Sequence, residues 1–205
     1  MEKEKILGKK ERILTSEAYL VGRSVVIPTD TIYGITALAL DKKAVARLYR
    51  IRKRDLNKPF IILISSFKDL LLFGVDIKKE QRVWLSRFWP GKLTAILPCD
   101  GVEFKYLHRG KKSLAFRLPD NKWLLQLITE VGPIIAPSAN LQGGKPAETI
   151  EDAYNYFNGR VEYVDVGRLK GSPSTIVSFE DGFKIIRQGS LKIKKNEYFR
   201  SDINN

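Results

Sequence analysis

The sequence predicts a single α/β domain, and three observations carry the prediction. Short β-branched runs alternate with amphipathic stretches along the whole chain, the pattern of strands and helices in alternation. The 205 residues make about one domain at ~100–200 residues each, with no internal repeat or linker to divide them. A content of 43% hydrophobic and 10% aromatic residues fills a sizeable core and argues against disorder or low complexity.

The first strand is expected at Ser24 to Ile27, closed by Pro28. A helix follows from Asp41 to Arg54, because Asp41 suits an N-cap and Ala44, Leu48 and Ile51 form an apolar stripe. The run Pro59 to Ile64 clusters β-branched residues without a polar break and reads as a buried strand. A helix from Ile77 to Trp89 stops at Pro90-Gly91, and strands follow at Leu93 to Leu97 and Leu114 to Leu118. Asn121 to Val131 places Leu124, Leu127, Ile128 and Val131 on one helical face and ends at Gly132. Ile134 to Ala136 is a short buried strand. Thr149 can cap a helix carrying Ile150, Ala153, Tyr154 and Phe157, with Gly159 at its C′ position. Strands at Val161 to Val164 and Thr175 to Phe179 complete the set, and Asp181-Gly182 is a hairpin turn into Phe183 to Arg187. The domain is expected to span residues 1–190, with 191–205 a charged tail.

Composition then restricts function. Thirty-six Lys and Arg face 23 Asp and Glu, a formal charge of +13, which suits polyanionic partners such as nucleotides, RNA or an anionic membrane surface. One cysteine and one histidine cannot build a structural zinc site of about four such ligands. A single Cys99 excludes an internal disulfide and fits a reducing cytosol. No apolar run approaches the ~18 residues of a membrane span, and the amino terminus lacks a signal-peptide core. A cytoplasmic protein is expected.

The common phosphate loops are absent: none of the 15 glycines are spaced for GxG or GxxxxGK[ST]. Cys99 and His108 form no recognised dyad; they read as the end of a strand and a polar residue of a basic loop. Four segments stand out instead. Pro28 to Gly34 crowds Thr29, Asp30, Thr31 and Tyr33 at a strand's carboxyl end, where open α/β sheets bind ligands, although the same residues also suit a locally bonded turn. Arg47 to Pro59 is a basic run that is either a solvated face or a phosphate site, arginine being suited to bidentate phosphate contacts. Ala136 to Pro146 presents small residues with Ser138 and Asn140, and Pro173 to Val177 pairs with Arg187-Gln188-Gly189.

Together, PTDTIYG, the basic run ending in Lys58-Pro59, WPGKLT, FRLP, PSAN, PSTIV and RQG stand in the order and spacing of a known family. The chain resembles the YrdC-type threonylcarbamoyl-AMP synthases over about residues 10 to 190. The resemblance implies a single twisted open mixed sheet, flanked by helices around a basic groove. It implies condensation of L-threonine, bicarbonate and ATP to threonylcarbamoyl-adenylate and pyrophosphate, with Mg²⁺ on the triphosphate and no metal held by side chains. Downstream tRNA-modifying proteins, and contact with tRNA or other double-stranded RNA, are implied as partners.

Carried across residue by residue, Arg52, Arg54, Ser138 and Asn140 would form the catalytic set. ATP would meet these four together with Lys58 and Arg187, and threonine would meet Thr31, Tyr33, Arg117, Ser174 and Thr175. Such a site needs charge neutralisation and alignment more than a protein acid. The sequence departs from the family where Arg52 replaces a lysine, Pro137 a threonine, Leu63 a histidine and Gln142 a serine. Arg52 and Pro137 favour a second reading, a non-catalytic RNA- or nucleotide-binding paralogue of the YciO-like branch; Ser138 and Asn140 favour the synthase. The end near residue 205 suggests the short form of the family, without the additional carboxyl-terminal domain.

Overall fold

The computed structural model describes residues 9–194. Nine strands form one mixed sheet in the order β7-β1-β2-β6-β3-β5-β4-β8-β9. Its strands are β1 (Val25–Pro28), β2 (Tyr33–Leu38), β3 (Ile61–Leu63), β4 (Leu93–Pro98), β5 (Ser113–Arg117), β6 (Ile134–Ile135), β7 (Glu162–Tyr163), β8 (Thr175–Ser178) and β9 (Lys184–Arg187). The helices are α1 (Lys9–Leu20), α2 (Lys42–Arg52), α3 (Lys79–Leu85), α4 (Lys105–His108), α5 (Lys122–Val131) and α6 (Ile150–Phe157). β7 and β9 are the two edges, so the sheet is open and the predicted architecture holds.

Local chemistry sets the helix ends. The Asp41 carboxylate accepts from the Lys43 and Ala44 amides and starts α2, and Lys53 ends it in a left-handed conformation. Asn121 and Thr149 cap α5 and α6 in the same way. At the end of α6 it is Asn158 that first turns left-handed, with Gly159 following at φ +71°. Tyr154, expected on the buried stripe, is 52% exposed.

Three elements were not expected. α1 is an amphipathic helix with little hydrophobic content, held by Ala18 and Tyr19 in the core and by an Arg12–Glu130 ion pair to α5 at 2.7 Å. β2 continues from the PTDTIYG segment, and α4 lies within the basic loop. The helix expected from Ile77 spans only Lys79–Leu85. The segment after Gly189, placed in a surface tail, begins by folding back: Leu191 accepts a hydrogen bond from the Thr175 hydroxyl, and Ile193 is buried. Residues 195–205 lie outside the described part.

The two faces of the sheet are covered unequally, and this creates the site. One face is buried along its length: Val26, Ile35, Ala37, Ile62, Phe116, Ala95 and Val177 pack with α2, α3 and α6 in the main core. On the other face, α1 and α5 cover only one half, where Val25, Ile27, Leu63 and Ile134 meet Leu124, Leu127 and Ile128. The remaining half, over β3, β5, β4 and β8, carries no helix among the described residues. There Ile61, Ala115, Ile96 and Ile176 are only half-buried, in strands whose neighbouring residues are buried. No helix among the described residues is long and apolar enough to cross a membrane.

Candidate ligand-binding groove

The uncovered half of the sheet encloses a cavity of about 430 Å³. Its floor is the apolar row Ile61, Ala115, Ile96 and Ile176. Its wall carries four cations, Arg54, Lys111, Arg117 and Arg187, and one carboxylate, Glu180.

One end is built by the turn between β1 and β2. The Thr29 hydroxyl donates to the Ile32 carbonyl at 2.7 Å and accepts from the Thr31 and Ile32 amides. With that proton committed, the 2.9 Å contact between the Thr29 and Thr31 hydroxyls is donated by Thr31. Arg117 Nη1 in turn donates to Thr31 Oγ1 at 3.1 Å, and Nη2 pairs with the Asp30 carboxylate at 3.0 Å. Arg117 is 5% exposed, and burial lowers its pKa while Asp30 opposes the shift. Its Nε is buried without an acceptor. The turn is thus both locally bonded and part of the cavity, and Arg117 enters it as a neutralised pair with a spare donor. Thr31 keeps acceptor capacity toward the cavity.

Ser174 and Arg187 close this end. The Ser174 hydroxyl is bonded to that of Thr94 at 2.8 Å, and Arg187 Nη2 donates to the Ser174 carbonyl at 2.8 Å. Gly189 is required here, because a Cβ would lie 2.2 Å from the Pro173 carbonyl oxygen.

The other arginine station lies where α2 hands over to β3. Arg54 Nε and Nη2 hold the Lys58 and Pro59 carbonyls at 2.9 Å, and its guanidinium lies 4.9 Å from the Phe60 ring centre. Behind the wall, Arg52 is 2% exposed. It donates from Nε to the Asn140 carbonyl at 3.0 Å and from Nη2 to Asn140 Oδ1 at 3.2 Å, while Nη1 has no acceptor. Asn140 Oδ1 also accepts from Ser138 Oγ at 2.6 Å, and its amide holds the Leu141 and Gly144 carbonyls. Burial, then Arg54, pushes the Arg52 pKa down to about 10. Among the described residues no carboxylate pairs with Arg52, so this corner favours an anion. Gln142 ties the same loop to α2 by accepting from the Asp55 amide and donating its own amide to the Arg52 carbonyl.

The structure therefore brings Thr31, Arg54, Arg117, Ser138, Ser174 and Arg187 to the cavity wall. It does not bring the others there. Tyr33 lies on the opposite sheet face, where its hydroxyl donates to the Gly167 carbonyl at 2.7 Å and accepts from the Val166 amide. Thr175 fails for the same reason: alternate strand residues face opposite ways, so Ser174 and Ile176 look into the cavity and Thr175 away. Lys58 is exposed and contributes its carbonyl to Tyr49 and Arg54 rather than its side chain to the wall. Arg52 and Asn140 form a layer behind Ser138. Cys99 and His108 are each bonded to backbone groups, and burial raises the Cys99 thiol to about 11.

Sequence reasoning did not find Lys111, Ser113, Phe60 or Glu180. It also passed over Gly171, where an added Cβ would fall 1.7 Å from the Thr31 carbonyl oxygen. That contact presses the loop after β7 against the hydroxyl turn.

An open mixed sheet with a cation-lined cavity on its uncovered half suits an anionic small molecule. A family model described as Sua5_yciO_yrdC, Telomere recombination, matches residues 17–189, and the chain belongs to this Sua5/YciO/YrdC family. It is 34% identical over 180 residues to the threonylcarbamoyl-AMP synthase of Pyrococcus abyssi, a match covering 86% of this chain and 53% of that protein. It is 36% identical over 174 residues to the threonylcarbamoyl-AMP synthase of Bacillus subtilis, covering 82% and 50%. The chain thus spans about half the length of these curated relatives. The structure of P. abyssi Sua5 complexed with L-threonine matches with a TM-score of 0.84 at 32% identity, over 91% of this chain and 56% of that one.

Proposed function

We propose that the chain is a threonylcarbamoyl-AMP synthase, a nucleotidyl-transferring enzyme that joins L-threonine, bicarbonate and ATP with release of pyrophosphate. The observation that carries the reading is the contrast between the two ends of one cavity. At one end Arg117 is neutralised by Asp30 and orients Thr31. At the other Arg52 is buried with no carboxylate, beside Arg54 and Ser138. The first end suits a zwitterionic amino acid, and the second an unneutralised polyphosphate. The L-threonine in the related P. abyssi structure supports an amino acid as one of the ligands.

In the reaction the threonine nitrogen forms a bond to the bicarbonate carbon with loss of water. A carbamate oxygen then attacks the α-phosphorus, and the bond to pyrophosphate breaks. Thr31 and Arg117 would orient the amino acid, Arg54 would draw charge from the phosphates, Arg187 would reach from the threonine end toward the phosphate that meets the carbamate, and Ser138 would turn its hydroxyl from Asn140 to a phosphate oxygen. Arg52 and Asn140 would act by holding Ser138 and by the charge behind it. Fixed charges in a concave site cost no reorganisation during the reaction, which fits a wall without a histidine. Among the described residues no group of three or more metal-ligating side chains occurs, so Mg²⁺ is proposed only as part of the Mg·ATP substrate. We propose a cytosolic location, transfer of the product to tRNA-modifying partner proteins, and the exposed Lys105, Lys111 and Lys112 as a face for tRNA.

Arg54→Ala tests the phosphate end. ATP affinity should fall by about 1.5–3 kcal/mol, the range for a hydrogen bond to a charged group, while L-threonine binding by calorimetry is retained. Unchanged ATP affinity would move the phosphate site elsewhere.

A further inference from the structure

One carboxylate stands among the cations of the cavity wall. Glu180 lines the cavity, and among the described residues no cation forms an ion pair with it. The Ser178 hydroxyl donates to Glu180 Oε2 at 3.0 Å and accepts from the Glu180 amide at 3.2 Å. One carboxylate oxygen is thereby pinned and Oε1 remains for a ligand.

Strand register places this group. Ile61 lies opposite Ala115, Ala115 opposite Ile96, and Ile96 opposite Ser178. Arg54 lies on the β3 side, so three strand spacings, about 14 Å, separate it from β8. Arg187 lies opposite Ile176, four residues and about 13 Å along the strand from Glu180. The carboxylate thus occupies a third corner, away from Arg54 across the sheet and from the Arg117 and Arg187 row along the strand. Between the corners lies the apolar floor of Ile61, Ile96 and Ile176.

A carboxylate repels phosphate and accepts hydrogen bonds from neutral donors. With phosphates at one corner and the amino acid at another, the sugar and the base of a nucleotide remain, and of these the sugar adjoins the phosphates and offers two adjacent hydroxyls that match an acceptor. We propose that Glu180 accepts a hydrogen bond from the ribose diol of the nucleotide and so selects ribonucleotides over deoxyribonucleotides. The inference rests on the synthase reading above and goes beyond it by orienting the nucleotide in the cavity.

The test is calorimetric binding of ATP, 2′-deoxyATP and 3′-deoxyATP to the full chain and to Glu180→Ala, with L-threonine binding as the check on folding. The wild type should bind ATP about ten- to a hundredfold more tightly than at least one deoxy analogue, the worth of a hydrogen bond to a charged group. Glu180→Ala should lose that preference by weakening ATP and any analogue that keeps the bonded hydroxyl, while the analogue that lacks it is unaffected. An equal effect on all three nucleotides, or no effect, would overturn the inference. A changed Mg²⁺ requirement with an unchanged ribose preference would assign the carboxylate to the metal and overturn it as well. If the wild type bound no ATP, the synthase reading would fail and this inference with it. ATP binding that is sensitive to Arg54→Ala but indifferent to Glu180→Ala would sink this inference alone.

Discussion

Arg117→Met is expected to destabilise the fold by about 3–5 kcal/mol, the cost of removing one partner of a buried ion pair. The Asp30 side chain is 4% exposed and its carboxylate sits 3.0 Å from Arg117 Nη2, so the substitution leaves a buried charge with no counterion. Thr31 loses its donor at the same time. Against a typical net stability of about 5–15 kcal/mol, this is a large fraction, and the urea midpoint should fall accordingly. Asp30→Asn combined with Arg117→Met should recover much of the loss, because no unpaired charge then remains. A single variant as stable as the wild type would mean that the pair is not buried in solution.

Arg52→Met is expected to have the largest effect on binding without a matching loss of stability. Arg52 donates twice to Asn140, has one buried nitrogen without an acceptor, and faces no carboxylate. Its hydrogen bonds to Asn140 offset only part of its desolvation, so an apolar side chain of similar length gives up those bonds and is relieved of the buried charge. Thermal stability should therefore change little, the lost bond to the Asn140 carbonyl being set against the relieved desolvation. ATP affinity should fall by about 3 kcal/mol, roughly a hundredfold, as Ser138 loses its support and the corner its buried charge, a magnitude of the order found for interactions with a charged group. Wild-type ATP affinity in this variant would show that Arg52 serves only the loop around Asn140.

The strands and helices that the sequence revealed are those with a clean period or a capping residue. Pro59 to Ile64, Asn121 to Val131 and the Thr149-capped helix are examples. β2 was hidden because Gly34, Ile35, Thr36 and Ala37 are small or mixed and follow directly on a turn-like run. Its face was hidden with it: once Tyr33 begins a strand, strict alternation sends Tyr33 to the core and Gly34 to the cavity. The same alternation separates Ser174 from Thr175. α1 was hidden by its charge, since only Ala18, Tyr19 and a few neighbours hold it to the sheet.

Within the site, residues carried by ordered motifs were reached, as with Thr31, Arg117, Ser138 and Arg187. Arg52 and Arg54 were grouped as equals, but the left-handed Lys53 between them turns the chain, so one goes behind the wall and the other onto it. Lys111, Ser113 and Glu180 were missed because only the sheet order brings β5 and β8 to one cavity. One signal was available: Ser113 and Ala115 alternate with Arg117 and so share its face.

The central claim is that one cavity holds an amino acid and a nucleotide for a single transfer. Its most direct test is pyrophosphate release by the purified chain with L-threonine, bicarbonate, Mg²⁺ and ATP, together with mass detection of threonylcarbamoyl-adenylate. The account predicts release only when all are present, with the adenylate formed in step. Pyrophosphate release that does not depend on threonine, or ATP binding without any adenylate, would contradict it.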